Sequence, residues 1–357
     1  MRTRSNTTLI RPRALALLVP LALTLGQSSL ALAAQGPELA TERAAPDLPN
    51  GPIERDEAAK LEYLSDFFVF AGREASSDGK PGKGLVFAFD ANRGREKQKY
   101  AAEHFAVLWV EGRGWVDLDV TQSLPGAAAQ FARAVGVGLP TCERAQVAGD
   151  AFAGLTIEVP KVALKLVAEP IGVETDRRNG GDVFLTGATK GRLTLGERAF
   201  VGVVHHEFTY LVGVNPLAKT YTDLFGEGFH SVYALLGAKD ALRLHRTGGT
   251  LEPLIGRHSG YLVRDGAEAG AGELPAFKLE TAKKSLGGLF RWPGRYDIGW
   301  REGAADARRR IEVKVDLKDR ETLINYVFGG VAIAIASGEL VDGAQREPVL
   351  GFTLIVL

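Results

Sequence analysis

The chain has 357 residues, 45% of them apolar, and carries 43 basic against 43 acidic side chains. That balance excludes the basic footprint of a nucleic-acid partner, and a chain of this length can bury a core without cross-links. Its single cysteine, Cys142, can form no internal disulfide.

The chain opens on a basic lead, Arg2, Arg4, Arg11 and Arg13, followed by an apolar run over residues 14–25 and then Ala31-Leu32-Ala33. Charge, length and small flanking residues define a cleavable signal peptide over 1–33, and the run is too short for a permanent membrane span. The expected location is periplasmic or extracellular. Without its four leading arginines the chain holds 39 basic against 43 acidic residues. Residues 34–55, rich in Ala, Pro and Glu with no sustained period, are expected to form a flexible linker.

Short apolar runs then alternate with Gly, Pro and Asp turns. Residues 63–70 and 84–89 flank Ser76-Ser77-Asp78-Gly79-Lys80-Pro81-Gly82, a hairpin signature. Strands are expected over 100–110 and 115–120. The alanines of 125–137, with Phe131 and Val135, make the one helical candidate, which reads equally as a long loop across a barrel mouth. Further strands are expected over 155–159, 162–168, 182–186, 191–195 and 200–214. A second series covers 228–236, 241–245, 260–263, 276–280, 296–300, 310–317, 325–328, 331–340 and 349–357. Residues 310–317 alternate Ile311, Val313, Val315 and Leu317 with Arg310, Glu312, Lys314 and Asp316, as in a strand with one wet face. Solvated turns are expected at Arg257-His258-Ser259 and loop packing at Trp292-Pro293-Gly294. Many short strands with little helical period indicate an all-β, antiparallel protein.

The stretch 200–214, F-V-G-V-V-H-H-E-F-T-Y-L-V-G-V, is where the sequence carries chemistry. A buried strand rarely holds His205, His206 and Glu207 together, because each ionisable group needs a partner or a shifted pKa. Strand alternation puts His205 and Glu207 on one face, and His206 with Phe208 and Tyr210 on the other. These three are the candidate catalytic residues, able to donate or accept a proton in an apolar pocket. The competing reading is a hydrogen-bonded pair tying strands or barrels together. A metal site at His205 and Glu207 would need further ligands from His104, His230 or His245, and no spacing demands them; neither metal nor cofactor is expected. No nucleotide-loop, nucleophile-elbow or zinc-protease motif occurs.

The order of features carries a resemblance. Tyr63-Leu64-Ser65-Asp66-Phe67-Phe68 leads to Asp78-Gly79-Lys80, then Tyr100 to Leu108, then His206-Glu207-Phe208, then Arg295-Tyr296 with Trp300, and a closing Gly351-Phe352 strand. This resembles the AttH and carotenoid 1,2-hydratase-like group of lipocalin-like proteins, related to the hydroxyneurosporene synthases. The resemblance implies two consecutive calycin-like β-barrels with a cleft at their junction, here over 56–222 and 223–357. The group's central strand reads Asp-His-Glu-Trp; His205 stands where the aspartate would be and Phe208 where the tryptophan would be. Candidate ligand-binding residues are Phe208, Tyr210, His104, His230, Tyr296 and Trp300. The expected function is binding of a hydrophobic, isoprenoid- or lipid-like small molecule. An acid–base enzyme of hydratase, isomerase or cyclase type, using His206 and Glu207, is the alternative, and a structural protein with a closed junction is the third.

Overall fold

The computed structural model describes residues 41–43, 52–53, 61–75, 82–96, 99–116, 118–120, 122–125, 131–132, 144–150, 154–170, 174–179, 182–212, 229–247, 257–264, 267–273, 276–285, 290–302, 309–326 and 329–356. The expected signal peptide and Cys142 lie outside these residues.

In chain order the first strands are β1 (Thr41–Arg43), β2 (Pro52–Ile53), β3 (Leu61–Glu74), β4 (Gly84–Glu96), β5 (Lys99–Val110), β6 (Gly114–Val116) and β7 (Gln122–Pro125). Next come β8 (Phe131–Ala132), β9 (Gln146–Asp150), β10 (Gly154–Val159), β11 (Leu164–Ala168), β12 (Glu174–Asn179), β13 (Asp182–Leu195) and β14 (Arg198–Val212). The remainder are β15 (Phe229–Leu236), β16 (Asp240–Thr247), β17 (Arg257–Arg264), β18 (Ala267–Glu273), β19 (Ala276–Ser285), β20 (Phe290–Glu302), β21 (Arg309–Tyr326), β22 (Gly329–Asp342) and β23 (Gln345–Val356).

Two large antiparallel sheets result. The first runs β6-β5-β4-β3-β14-β13-β11-β10-β9, with β7 beside β5 and β12 between β13 and β1. The second runs β18-β17-β16-β15-β23-β22-β21-β20-β19. Each is an up-and-down meander in which the first strand returns to pair with the last, β3 with β14 and β15 with β23. That return of the last strand onto the first is the connectivity of a lipocalin-like, barrel-forming meander, while the two strand paths end at β6 and β9 and at β18 and β19.

Burial shows the curvature. One face of the first sheet contributes Phe68, Phe87, Leu108, Leu155, Leu166, Leu193 and Phe200 to a single core that contains no residue of the second sheet. A flat sheet would leave such a face wet, so the sheet must cover itself. The opposite face of β3, β4, β5, β13 and β14 packs on the second sheet, where Phe67, Val69, Val107 and Val203 meet Tyr233, Leu235, Tyr261, Ile333 and Phe352. Phe67 sits edge-on to Tyr233 at 5.5 Å between ring centroids and tilted against Phe352 at 6.0 Å. The second sheet encloses its own core of Val232, Leu242, Leu262, Tyr296, Val313 and Leu340.

This arrangement explains two kinds of strand in one sequence. Strands at the junction are buried on both faces and read as unbroken apolar runs, such as Phe67-Phe68-Val69-Phe70-Ala71. Strands on the far side have one wet face and alternate strictly, as β10 and β11 do. Gly72, Gly202 and Gly191 lie in one row across β3, β14 and β13. A side chain on Gly202 would run into the backbone of Ala71 and Gly72, so this close approach requires glycine.

Several elements depart from expectation. Residues 182–186 and 191–195 belong to one strand, β13. The small and polar residues between them read as a turn, but pairing with β14 runs unbroken through Leu195. Residues 310–317 and 325–326 likewise share β21, whose register shifts between Lys318 and Glu321, with Asp319 in the left-handed region at φ 46°. Arg257-His258-Ser259 starts β17 instead of forming a turn, and Trp292-Pro293-Gly294 lies within β20. Pro293 is tolerated where β20 pairs only with β19, at a register shift, because the β21 ladder begins at Arg295. Most of the helical candidate over 125–137 lies outside the described residues; within it Phe131–Ala132 form a strand against Pro52–Ile53. In the expected linker, Thr41–Arg43 pair with β12.

Candidate functional site at the sheet junction

β14 belongs to the first sheet and is one of the strands whose outer face packs on the second. Its even residues, Gly202, Val204 and His206, turn into the first barrel, and its odd residues, Val203, His205 and Glu207, face β15, β16 and β17. The structure therefore separates the three adjacent candidates. His205 and Glu207 stand together at the junction, while His206 is fully buried in the first barrel with its ring stacked on Phe68 at 5.0 Å. His206 and Glu207 do not meet as an acid–base pair.

At the junction each group of β14 meets a polar partner from the second sheet. Glu207 Oε2 accepts from Arg243 Nη2 at 2.7 Å and from the Tyr233 hydroxyl at 2.6 Å. Both members of the ion pair are at least 95% buried. Burial, and the Glu207 charge beside it, push the Tyr233 phenol well above its ordinary value. Arg243 also lies over the Tyr233 ring at 5.6 Å, within cation–π range. Next along the strand, His205 Nε2 lies 3.0 Å from the Ala234 carbonyl and Nδ1 lies 2.9 Å from the Tyr261 hydroxyl.

Burial drives the His205 pKa down to about 3; the hydrogen bond to Ala234 opposes this, and the Arg243 charge adds to it. The neutral ring then donates from Nε2 to Ala234, leaving Nδ1 as an acceptor for Tyr261. The same Tyr261 hydroxyl lies 2.8 Å from the Gly187 carbonyl, so its single proton is directed at one of these two acceptors at a time. Flanking this set, the Ser231 hydroxyl lies 2.7 Å from His245 Nδ1.

The remaining candidates scatter. His230 faces the interior of the second barrel, its ring 5.7 Å from that of Tyr296. Phe208 and Tyr210 continue β14 opposite Leu185 and Val183, His104 lies in β5 opposite Ala91, and Trp300 lies in β20 opposite Ile311. The side chains of these four lie outside the described residues. Among the described residues no cluster of His, Cys, Asp or Glu is placed to hold a metal ion, and no helix is long and apolar enough to cross a membrane.

A cleft of about 150 Å³ opens beside the cluster. Its lining is mixed: Ala188 and Val203 from the first sheet and Ala241 and Val263 from the second supply the apolar part, beside Pro170 and Thr189. Each of the four apolar residues adjoins the polar set: Ala188 is the cross-strand neighbour of His205, and Val203, Ala241 and Val263 are two residues from His205, Arg243 and Tyr261. Glu169, Lys190 and Lys239 border the opening.

Tyr233, Arg243 and Tyr261 are the site residues that sequence reasoning passed over. The available signal was Arg243 and His245 at alternate positions of an apolar strand. It reads as a wet face, and only the fold shows that this face meets another sheet.

No family model matches the chain, and no curated protein does. Among the solved structures similar to it are the following three. CghA matches with a TM-score of 0.45 at 12% identity, over 83% of this chain and 88% of that one. The AttH protein NE1406 from Nitrosomonas europaea matches with a TM-score of 0.41 at 12% identity, over 83% of this chain and 92% of that one. Kievitone hydratase from Nectria haematococca matches with a TM-score of 0.41 at 8% identity, over 90% of this chain and 97% of that one.

Proposed function

We propose that the protein is an exported lipocalin-like carrier that binds a hydrophobic, isoprenoid- or lipid-like small molecule at the junction of barrels spanning 56–222 and 223–357. The observation that carries this reading is the cleft walled by Ala188, Val203, Ala241 and Val263. Its volume, about 150 Å³ and open to solvent, falls below the roughly 300–1,000 Å³ that enclose a whole drug-sized ligand. The cleft thus suits one end or one ring of a larger molecule. The basic lead and apolar run of residues 1–33 support export.

Acid–base catalysis is less well supported. Glu207 is engaged by Arg243 and Tyr233, both nitrogens of His205 are occupied, and His206 faces another compartment. The polar set is better suited to fixing the two sheets against each other, so that the cleft between them keeps its shape.

Native mass spectrometry of the protein purified from its source tests the carrier reading. An unmodified apolar molecule retained on the folded chain is the expected result. Conversion of a supplied isoprenoid or lipid, with release of product, would replace carriage by catalysis.

A further inference from the structure

The junction is fastened at two margins of unlike strength. At one, Glu207, Tyr233 and Arg243 bond across the sheets with the ion pair almost wholly buried. At the other, the second sheet meets the first through Asp319. Trp109 of β5 and Trp115 of β6 stand opposite each other in their ladder, so their side chains share one face. Both indoles converge on Asp319: Trp109 Nε1 donates to its Oδ2 at 2.9 Å, and Trp115 Nε1 donates to its backbone carbonyl. Asp319 reaches them because β21 bulges there. Lys318 pairs with Ile335 and Glu321 with Ile333, which leaves Asp319 and Arg320 opposite Ala334 alone. Asp319 is held in the left-handed region at φ 46°, a conformation that costs a residue with a Cβ and persists only where its surroundings fix it. Between the two margins lies the apolar contact of Phe67, Val107, Leu235, Ile333 and Phe352.

We propose that Asp319 is a latch, and that the two barrels part at its margin while the Glu207–Arg243 margin stays closed as the pivot. The Trp115 bond is exposed and the Trp109 bond only partly buried, so water can replace both, and release frees Asp319 from its strained backbone. At the pivot a guanidinium and a phenol bond one carboxylate away from water, where such bonds are strongest. Opening at Asp319 uncovers Val107 and Ile333 first, a way into the apolar junction at the margin remote from the cleft. The movement requires no ligand and does not rest on the carrier reading.

Thiol labelling reads this movement, because Cys142 is the only native cysteine. In a Cys142→Ser background, Val107→Cys puts a buried thiol on the latch side, and Leu235→Cys puts one on the pivot side, two residues from Tyr233. Each is labelled with N-ethylmaleimide under native conditions, and Val107→Cys is expected to react faster. Asp319→Ala should raise the rate at Val107→Cys about tenfold, as the loss of one hydrogen bond to a charged group does, and leave the rate at Leu235→Cys unchanged. Asp319→Asn, which keeps a carbonyl acceptor for Trp109, should restore the slow rate. Equal acceleration at both thiols would mark a general loss of stability and overturn the proposal, as would no acceleration at Val107→Cys. Trp109→Phe, which keeps a ring and removes the donor, supplies the same comparison should Asp319→Ala fold poorly.

Discussion

Arg243 Nη2 lies 2.7 Å from Glu207 Oε2 across the junction, with both side chains almost wholly excluded from solvent. Neither charge could remain there alone. Burying an ion costs several kcal/mol, which only a well-placed opposite charge offsets.

Removing one partner is therefore expected to cost about 3–5 kcal/mol. Glu207→Gln and Arg243→Met should each show that loss in urea denaturation, since each strands the other group. The double variant Glu207→Leu with Arg243→Met should lose much less than the two single losses combined, because no buried charge is left over. Additive losses would mean that the two residues do not act as a pair.

His205 makes stability depend on acidity. Its folded-state pKa of about 3 lies below the ordinary 6.5, so between these values the unfolded chain binds a proton that the folded chain refuses. Stability therefore rises with pH through the window from about 3 to 6.5 and is level above it. Its share of the loss on acidification to the lower end is of order 4 kcal/mol. In His205→Gln that share should vanish, narrowing the stability gap between pH 7 and pH 4 relative to wild type. An unchanged gap would place the acid sensitivity elsewhere.

Gly202 should tolerate no side chain. The crossing of β14 with β3 leaves no room beside the Ala71 carbonyl, so Gly202→Ala forces the backbone to shift and should cost about 2–3 kcal/mol or more. Gly343→Ala meets no neighbour, although its φ of 58° carries a strain of about 1 kcal/mol. The ranking of the two melting temperatures checks this.

The sequence made β14 readable because three ionisable groups interrupt a run that is otherwise apolar, and alternation alone assigned His205 and Glu207 to one face. The closing strand, residues 349–357, was visible as an apolar run that had to be tied into a sheet, and β23 pairs with both β15 and β22. Other features were hidden by the same physics. Arg243 lies in Ala241-Leu242-Arg243-Leu244-His245, whose alternation is that of a half-wet strand, and its partner is 36 residues away in another sheet. Tyr233 is concealed inside Val232-Tyr233-Ala234-Leu235, where nothing local marks its hydroxyl as directed at a carboxylate. The division of β13 failed because strand continuity over Gly187 to Lys190 is set by its neighbours rather than by its own residues. The cleft was not legible residue by residue, since Ala188, Val203, Ala241 and Val263 come from four strands of two sheets.

Titration of a neutral apolar fluorophore, N-phenyl-1-naphthylamine, into wild type and into Ala241→Leu is the most direct measurement, with Val203→Met as a second way to fill the space. The neutral probe needs no charged partner, so it reads the cleft by itself. If a guest lies between the two sheets, wild type binds the dye and both filled variants bind it at least tenfold more weakly with their folded spectra retained. Equal binding by wild type and filled variants, or none by wild type, would contradict carriage at this junction.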